Sequence, residues 1–118
     1  MYKPNNNNVM ALISNEGSIG LTNTTLYECR NQNVCAINYT RFSNVAAAYT
    51  LMLKKYDAST STTTDIYTLS LSMGDTVTDD MVYILHQGDK LIASTSNAST
   101  KFIISGEEGP NLSFLRCK

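Results

Sequence analysis

Between Ala47 and Tyr56 the side chains alternate, with Tyr49, Leu51 and Leu53 set against Thr50, Met52 and Lys54. A period of two sends successive side chains to opposite faces of a strand, so this stretch reads as a strand with one buried face. The same reasoning gives two strands upstream, Thr24-Leu26-Glu28 and Val34-Ala36-Asn38-Thr40-Phe42. The polar residues Arg30-Asn31-Gln32-Asn33 lie between them, and the pair reads as a hairpin. The apolar pentad Val9 to Ile13, closed by Asn15-Glu16-Gly17, has the length of a short buried strand. Ile66 to Leu71 and Met81 to Leu85 each read as a further strand. Lys90 to Ser94 and Thr100 to Gly106, on either side of the polar run Thr95 to Ser99, read as a second hairpin.

Between these runs the chain is punctuated by turn chemistry. Asp57 to Thr64 carries no apolar period and reads as a solvent loop or the tip of a long hairpin. Gly74-Asp75 and Gly88-Asp89 each combine a residue free to adopt positive φ with a carboxylate able to close the turn. Seven to nine short strands at this spacing predict an all-β fold: a single antiparallel β-sandwich, jelly-roll-like or immunoglobulin-like. The expected organisation is a polar N-terminal arm over 1–8, the sandwich over 9–109, and a C-terminal extension over 110–118 in which Leu112, Phe114 and Leu115 are apolar.

Composition agrees with strands. The chain has 118 residues, enough for one domain and one core, and is 42% hydrophobic but only 16% charged. Thr, Ser and Asn take the place of the missing charge, and they suit pleated surfaces and turns better than helix exteriors. A formal net charge of −1 offers no footprint for a phosphate backbone. Nucleic acid is therefore not an expected partner, and the basic pair Lys54-Lys55 reads as a solvated strand end. No apolar run approaches the ~20 residues of a membrane helix, and the first residues lack the apolar stretch of a secretory signal, so a chain cytosolic at synthesis and without a membrane partner is expected. Three cysteines, Cys29, Cys35 and Cys117, fit no metal spacing and read as reduced thiols, with a Cys29 to Cys35 bridge as the lesser alternative.

Chemistry has little to work with. The one histidine, His86, would need a carboxylate such as Asp89 and a hydroxyl or Cys29 beside it to activate a nucleophile. The reading preferred here is a strand-end histidine next to a turn. Asp79-Asp80 and Glu107-Glu108 are adjacent pairs, and neighbours on a strand point to opposite faces, so they do not make a glycosidase pair. Asp75, Asp79 and Asp80 lack the spacing of a calcium loop, and no glycine-rich phosphate loop is present. Catalytic, cofactor-binding and metal-ligating residues are accordingly expected to be none. Asn-x-Ser/Thr triplets begin at Asn23, Asn38, Asn97 and Asn111, but a chain this rich in these residues produces them by chance. Tyr49, Tyr67, Tyr83, Phe42 and Phe102 occupy alternating positions and read as core or sheet-face packing.

The order of elements resembles that of small tailed-bacteriophage virion proteins of β-sandwich type. The residues carrying the resemblance run from Thr24-Thr25-Leu26-Tyr27-Glu28-Cys29 through Val34 to Phe42 and the small-residue turn Ser43 to Ala47. They continue with Tyr49 to Leu53 and Tyr83-Ile84-Leu85-His86-Gln87-Gly88-Asp89-Lys90-Leu91-Ile92, and end at Ile103-Ile104-Ser105-Gly106-Glu107-Glu108. Such proteins are head decoration, neck or tail components. The resemblance implies a non-catalytic virion protein in multiple copies, a homo-oligomer whose partners are capsid, neck or tail subunits, with no cofactor. The alternative is an adhesin-like module that contacts a surface glycan through loops near Thr60 and Asn97. A hydrolase built on His86 is the remaining reading.

Overall fold

Nine strands form in the computed structural model, which describes residues 11–30 and 34–110: β1 (Ala11–Ser18), β2 (Thr24–Glu28), β3 (Val34–Ser43), β4 (Tyr49–Asp57), β5 (Thr62–Leu71), β6 (Thr76–Asp79), β7 (Tyr83–Leu85), β8 (Lys90–Thr95) and β9 (Lys101–Gly109). The arm over 1–8, Val9, Met10, the turn residues Asn31 to Asn33, Asn111, Leu112, Phe114, Leu115 and Cys117 lie outside the described residues. All the strand pairings are antiparallel.

One sheet runs β1-β9-β3-β6, with β7 also on β3; the other runs β2-β8-β4-β5. β6 pairs with Thr40 to Ser43 and β7 with Cys35 to Ile37, so the two lie on the same edge of β3 as one interrupted strand. Counted that way, eight strands fill two four-membered sheets in the order of a jelly roll, which decides between the two sandwich types expected. Both inner faces supply the core: Ile13, Ile37, Phe42, Phe102 and Ile104 from one sheet, and Leu26, Leu51, Leu53, Leu91 and Ala93 from the other. The alternation expected in β4 holds, with Tyr49, Leu51 and Leu53 buried.

Both expected hairpins are wrong in their partners. β2 pairs with β8, not β3, and β8 pairs with β2 and β4, not β9. Each of those short polar connections crosses from one sheet to the other, and among the described residues the one tight hairpin is β4–β5, whose tip spans only 58–61, because pairing with β4 draws Thr62 to Thr64 of the expected loop into β5 and Asp57 ends β4. Alternation records which face of a strand is buried and is silent about which strand lies beside it. The Met81 to Leu85 strand also shrinks to Tyr83–Leu85, with Met81 63% exposed. Asp79 Oδ1 accepts the Met81 backbone N–H at 2.9 Å, and this Asx turn takes the chain off the β3 edge. In the first strand, Ile13 is buried but Leu12 is 83% exposed, because β1 is an edge strand with one face outward. It does not stop at Asn15-Glu16-Gly17 either: pairing with β9 carries it to Ser18.

The Gly-Asp pairs do what their chemistry predicts. Gly74 and Gly88 have φ of 87° and 88°, and Asp75 Oδ2 and Asp89 Oδ2 accept the backbone N–H of Ser72 and His86 at 3.0 and 2.9 Å. A different constraint acts at Gly106, where a Cβ would lie 2.0 Å from the Ala36 carbonyl oxygen. Here β9 is pressed onto β3 beside the register shift between Ile37 and Tyr39.

Candidate interface at the open edges of the sandwich

The groups considered for catalysis are not assembled into a site. His86 Nδ1 lies 3.8 Å from Asp89 Oδ2, and its side chain is 63% exposed. The Asp89 carboxylate is occupied by backbone: Oδ2 accepts His86 N–H, and Oδ1 accepts Ala58 N–H at 2.9 Å, tying the β7–β8 turn to the β4–β5 tip. Cys29 meets this turn through its main chain, giving its N–H to the Asp89 carbonyl and accepting from Gly88. Its thiol is buried, as is that of Cys35, and no disulfide joins them. Burial, ahead of neighbouring carboxylates, pushes both thiols above the ordinary cysteine range, which leaves little thiolate to attack anything.

The carboxylates also disperse. Glu107 accepts from Asn38 on the exposed face, while Glu108 accepts the Tyr27 hydroxyl, so the adjacent pair faces opposite ways as expected. Asp75 serves a turn, Asp79 is buried and Asp80 is exposed, and among the described residues no cluster of three metal-ligating side chains forms. Lys54 lies within β4 rather than at a strand end, opposite Ile92 and Asp65, with its Nζ donating to Asn23 Oδ1 at 3.1 Å. Thr60 and Asn97 stand at opposite ends of the sandwich, separated by the nine-residue β4, or ~26 Å, so one glycan site cannot include both loops.

What the fold does assemble is a groove. β5 and the β6–β7 strand are the last members of their sheets, and along this side the sandwich is open. Tyr67 on β5 and Tyr83 on β7 both donate to Asp79 Oδ2, at 2.7 and 2.6 Å, bridging the two sheets. Burial, then the Asp79 carboxylate, raises both phenols above the ordinary tyrosine range. Around this bridge, Ile66 and Leu69 from β5 and Val77 and Met81 from the other edge line a mostly apolar groove of about 450 Å³, with Asp80 also on its wall. A second apolar surface lies at the end of the sandwich where Leu21, Val45 and Met73 are exposed on the β1–β2, β3–β4 and β5–β6 loops.

Sequence reasoning placed Tyr67 and Tyr83 in packing positions but missed the groove and the role of Asp79. The one local signal was the acidic pair Asp79-Asp80 just before the apolar run Met81 to Leu85, and its meaning depends on Tyr67 of β5, which the sequence does not place beside it.

No family model matches the chain, and no curated protein matches it. Solved structures do resemble it in fold. A chain from the acid-stable capsid structure of Helicobacter pylori bacteriophage KHP30 is 14% identical, with a TM-score of 0.56 over 89% of this chain and 91% of that one. A structure of Bacillus endospore appendages, disulfide-linked pili, is 13% identical, with a TM-score of 0.52 over 86% of each chain. A chain of the T13 IBDV viral particle is 11% identical at a TM-score of 0.56, and the match covers 87% of this chain but 31% of that one.

Proposed function

We propose that this chain is a non-catalytic structural subunit of a bacteriophage virion, present in multiple copies on the capsid as a decoration or auxiliary protein. The observation that carries the reading is the β1-β9-β3-β6/β7 and β2-β8-β4-β5 order, together with the likeness to a phage-capsid chain over nearly the whole length of both. That likeness favours the capsid over a neck or tail position. Low charge supports the same role, since a Thr- and Asn-rich surface makes hydrogen bonds across a wet interface without burying ions. The partners would be other copies and the capsid subunits beneath them.

The test is the mass of the full chain in solution by light scattering over a range of concentrations, with electron microscopy of the same samples. A discrete oligomer or an ordered assembly is expected. A monomer at every concentration that also fails to bind phage capsids overturns the proposal.

A further inference from the structure

We propose that the groove between β5 and the β6–β7 edge seats residues 111–118 of a second copy of this chain. The inference rests on the structural role proposed above and names the surface and segment that join neighbours. The groove is mostly apolar, is flanked by two strand edges with no partner among the described residues, and has its two edges tied together by the Tyr67–Asp79–Tyr83 bridge. A segment that adds to an open edge gains main-chain hydrogen bonds from the edge and specificity from pockets that take alternate side chains. The sequence Asn111-Leu112-Ser113-Phe114-Leu115-Arg116-Cys117-Lys118 has apolar residues two apart at Leu112 and Phe114, followed by Arg116 and Lys118. Those charges complement Asp80 on the groove wall.

Geometry excludes the chain's own segment. Gly109 pairs with Val34 on one side of β3, and Asp79 pairs with Thr40 on the other. Six residues along and two strand spacings across place Gly109 ~22 Å from Asp79. Leu112 follows Gly109 by three residues and reaches ~11 Å fully extended, and Phe114 reaches ~18 Å. β9 also runs towards Gly109 in the same direction as β6 and β7, so its last residues point away from Asp79 and the groove centre. Only a neighbouring copy can place both apolar side chains between Ile66, Leu69, Val77 and Met81.

The experiment uses the full chain and its own Cys117. Met81 is largely exposed, so Met81→Cys puts a thiol on the groove wall without disturbing the core. Oxidised glutathione supplies the oxidant: one thiolate displaces glutathione to give a mixed disulfide, the second thiolate displaces the other glutathione, and the two protein thiols end as one S–S bond. The expected product is a bond between position 81 of one chain and Cys117 of another, seen as a ladder on a non-reducing gel, assigned by peptide mass, and lost with Cys117→Ser. Because a seated segment raises the local thiol concentration, the yield should exceed that of a Val45→Cys control at the far end by about tenfold or more. A bond from 81 to 117 within one chain, a bond from 81 to 81, or a yield no greater than the control overturns the proposal. Light scattering of the untreated wild-type chain separates the two readings: an oligomer without the 81–117 bond removes this seat and leaves the structural role standing.

Discussion

The Tyr67 hydroxyl donates to Asp79 Oδ2 at 2.7 Å, and this contact joins the edge strand of one sheet to the edge strand of the other. Tyr83 donates to the same oxygen, and the second oxygen accepts Met81 N–H, so one carboxylate closes the bridge and also ends β6. Replacing Tyr67 by Phe removes one donor and should cost about 1 kcal/mol. Asp79→Ala strands two half-buried hydroxyls and a backbone N–H and should cost ~2–3 kcal/mol. Urea unfolding of both variants checks the order; equal midpoints for Asp79→Ala and wild type would refute the bridge.

Alkaline pH tests the same contacts from the other side. Burial first, then a carboxylate neighbour, raises the phenols of Tyr67 and Tyr83, through Asp79, and of Tyr27, through Glu108. A raised folded pKa means that the native state keeps a proton the unfolded chain has lost. This stabilisation is complete below the ordinary tyrosine value of ~10 and declines as pH rises above it. The raised Cys29 and Cys35 thiols act in the same direction from the ordinary cysteine value of ~8.5, so melting temperature should begin to fall above about pH 8.5 and fall more steeply above ~10, with tyrosinate absorbance from these three residues appearing only on unfolding. The double change Tyr67→Phe and Tyr83→Phe should flatten the decline.

Gly106→Ala is expected to be among the most damaging single-methyl changes in the chain. The added carbon would meet the Ala36 carbonyl oxygen at 2.0 Å, with the Ile37 Cα 2.9 Å away. Neither belongs to a flexible side chain, so β9 must move off β3, at a cost of ~3 kcal/mol or more. Soluble yield and thermal unfolding, with Gly74→Ala as a variant strained at φ but free of close contacts, would separate crowding from backbone conformation.

Asn44 anchors one end of the sandwich. Buried after β3, it donates from Nδ2 to Thr100 Oγ1 at 3.1 Å and to Asn97 Oδ1 at 3.3 Å, while its Oδ1 accepts the N–H groups of Ala46 and Ala47. Its carbonyl also accepts Gly74 N–H at 2.8 Å, so three loops meet on one residue. Asn44→Ala should cost about 2–3 kcal/mol, and Asn44→Asp as much, because a carboxylate has no donor for Thr100. Amide exchange should quicken at Ala46 and Ala47 before it does elsewhere; unchanged exchange there would remove Asn44 from this role.

Most strands and two turns were legible because their causes are local, whereas β6, a four-residue strand with Val77 its one apolar residue, was not. The bounds of β2 follow from Thr24-Leu26-Glu28, the buried face of β4 from Tyr49, Leu51 and Leu53, and two turns from Gly74-Asp75 and Gly88-Asp89. Each depends on a period of two or on the φ preference of one residue, and neither needs knowledge of the remaining chain. The fold class follows from counting such elements.

Partnership is a different kind of quantity. The hairpin expected between β2 and β3, and the one expected between β8 and β9, are connections from one sheet to the other, because a polar connection of a few residues serves a sheet-crossing corner as well as a tight turn. Strand neighbours are chosen by which buried faces close one core together, a condition on all nine strands at once. The groove inherits that dependence. Ile66, Tyr67 and Leu69 meet Val77, Asp79 and Tyr83 only because β5 ends one sheet and β6–β7 the other. Local pattern placed most of the strands and their apolar faces, but not β6 or the Thr62 start of β5, whose polar residues become strand only by pairing; tertiary packing decided which edges stay open and what stands between them.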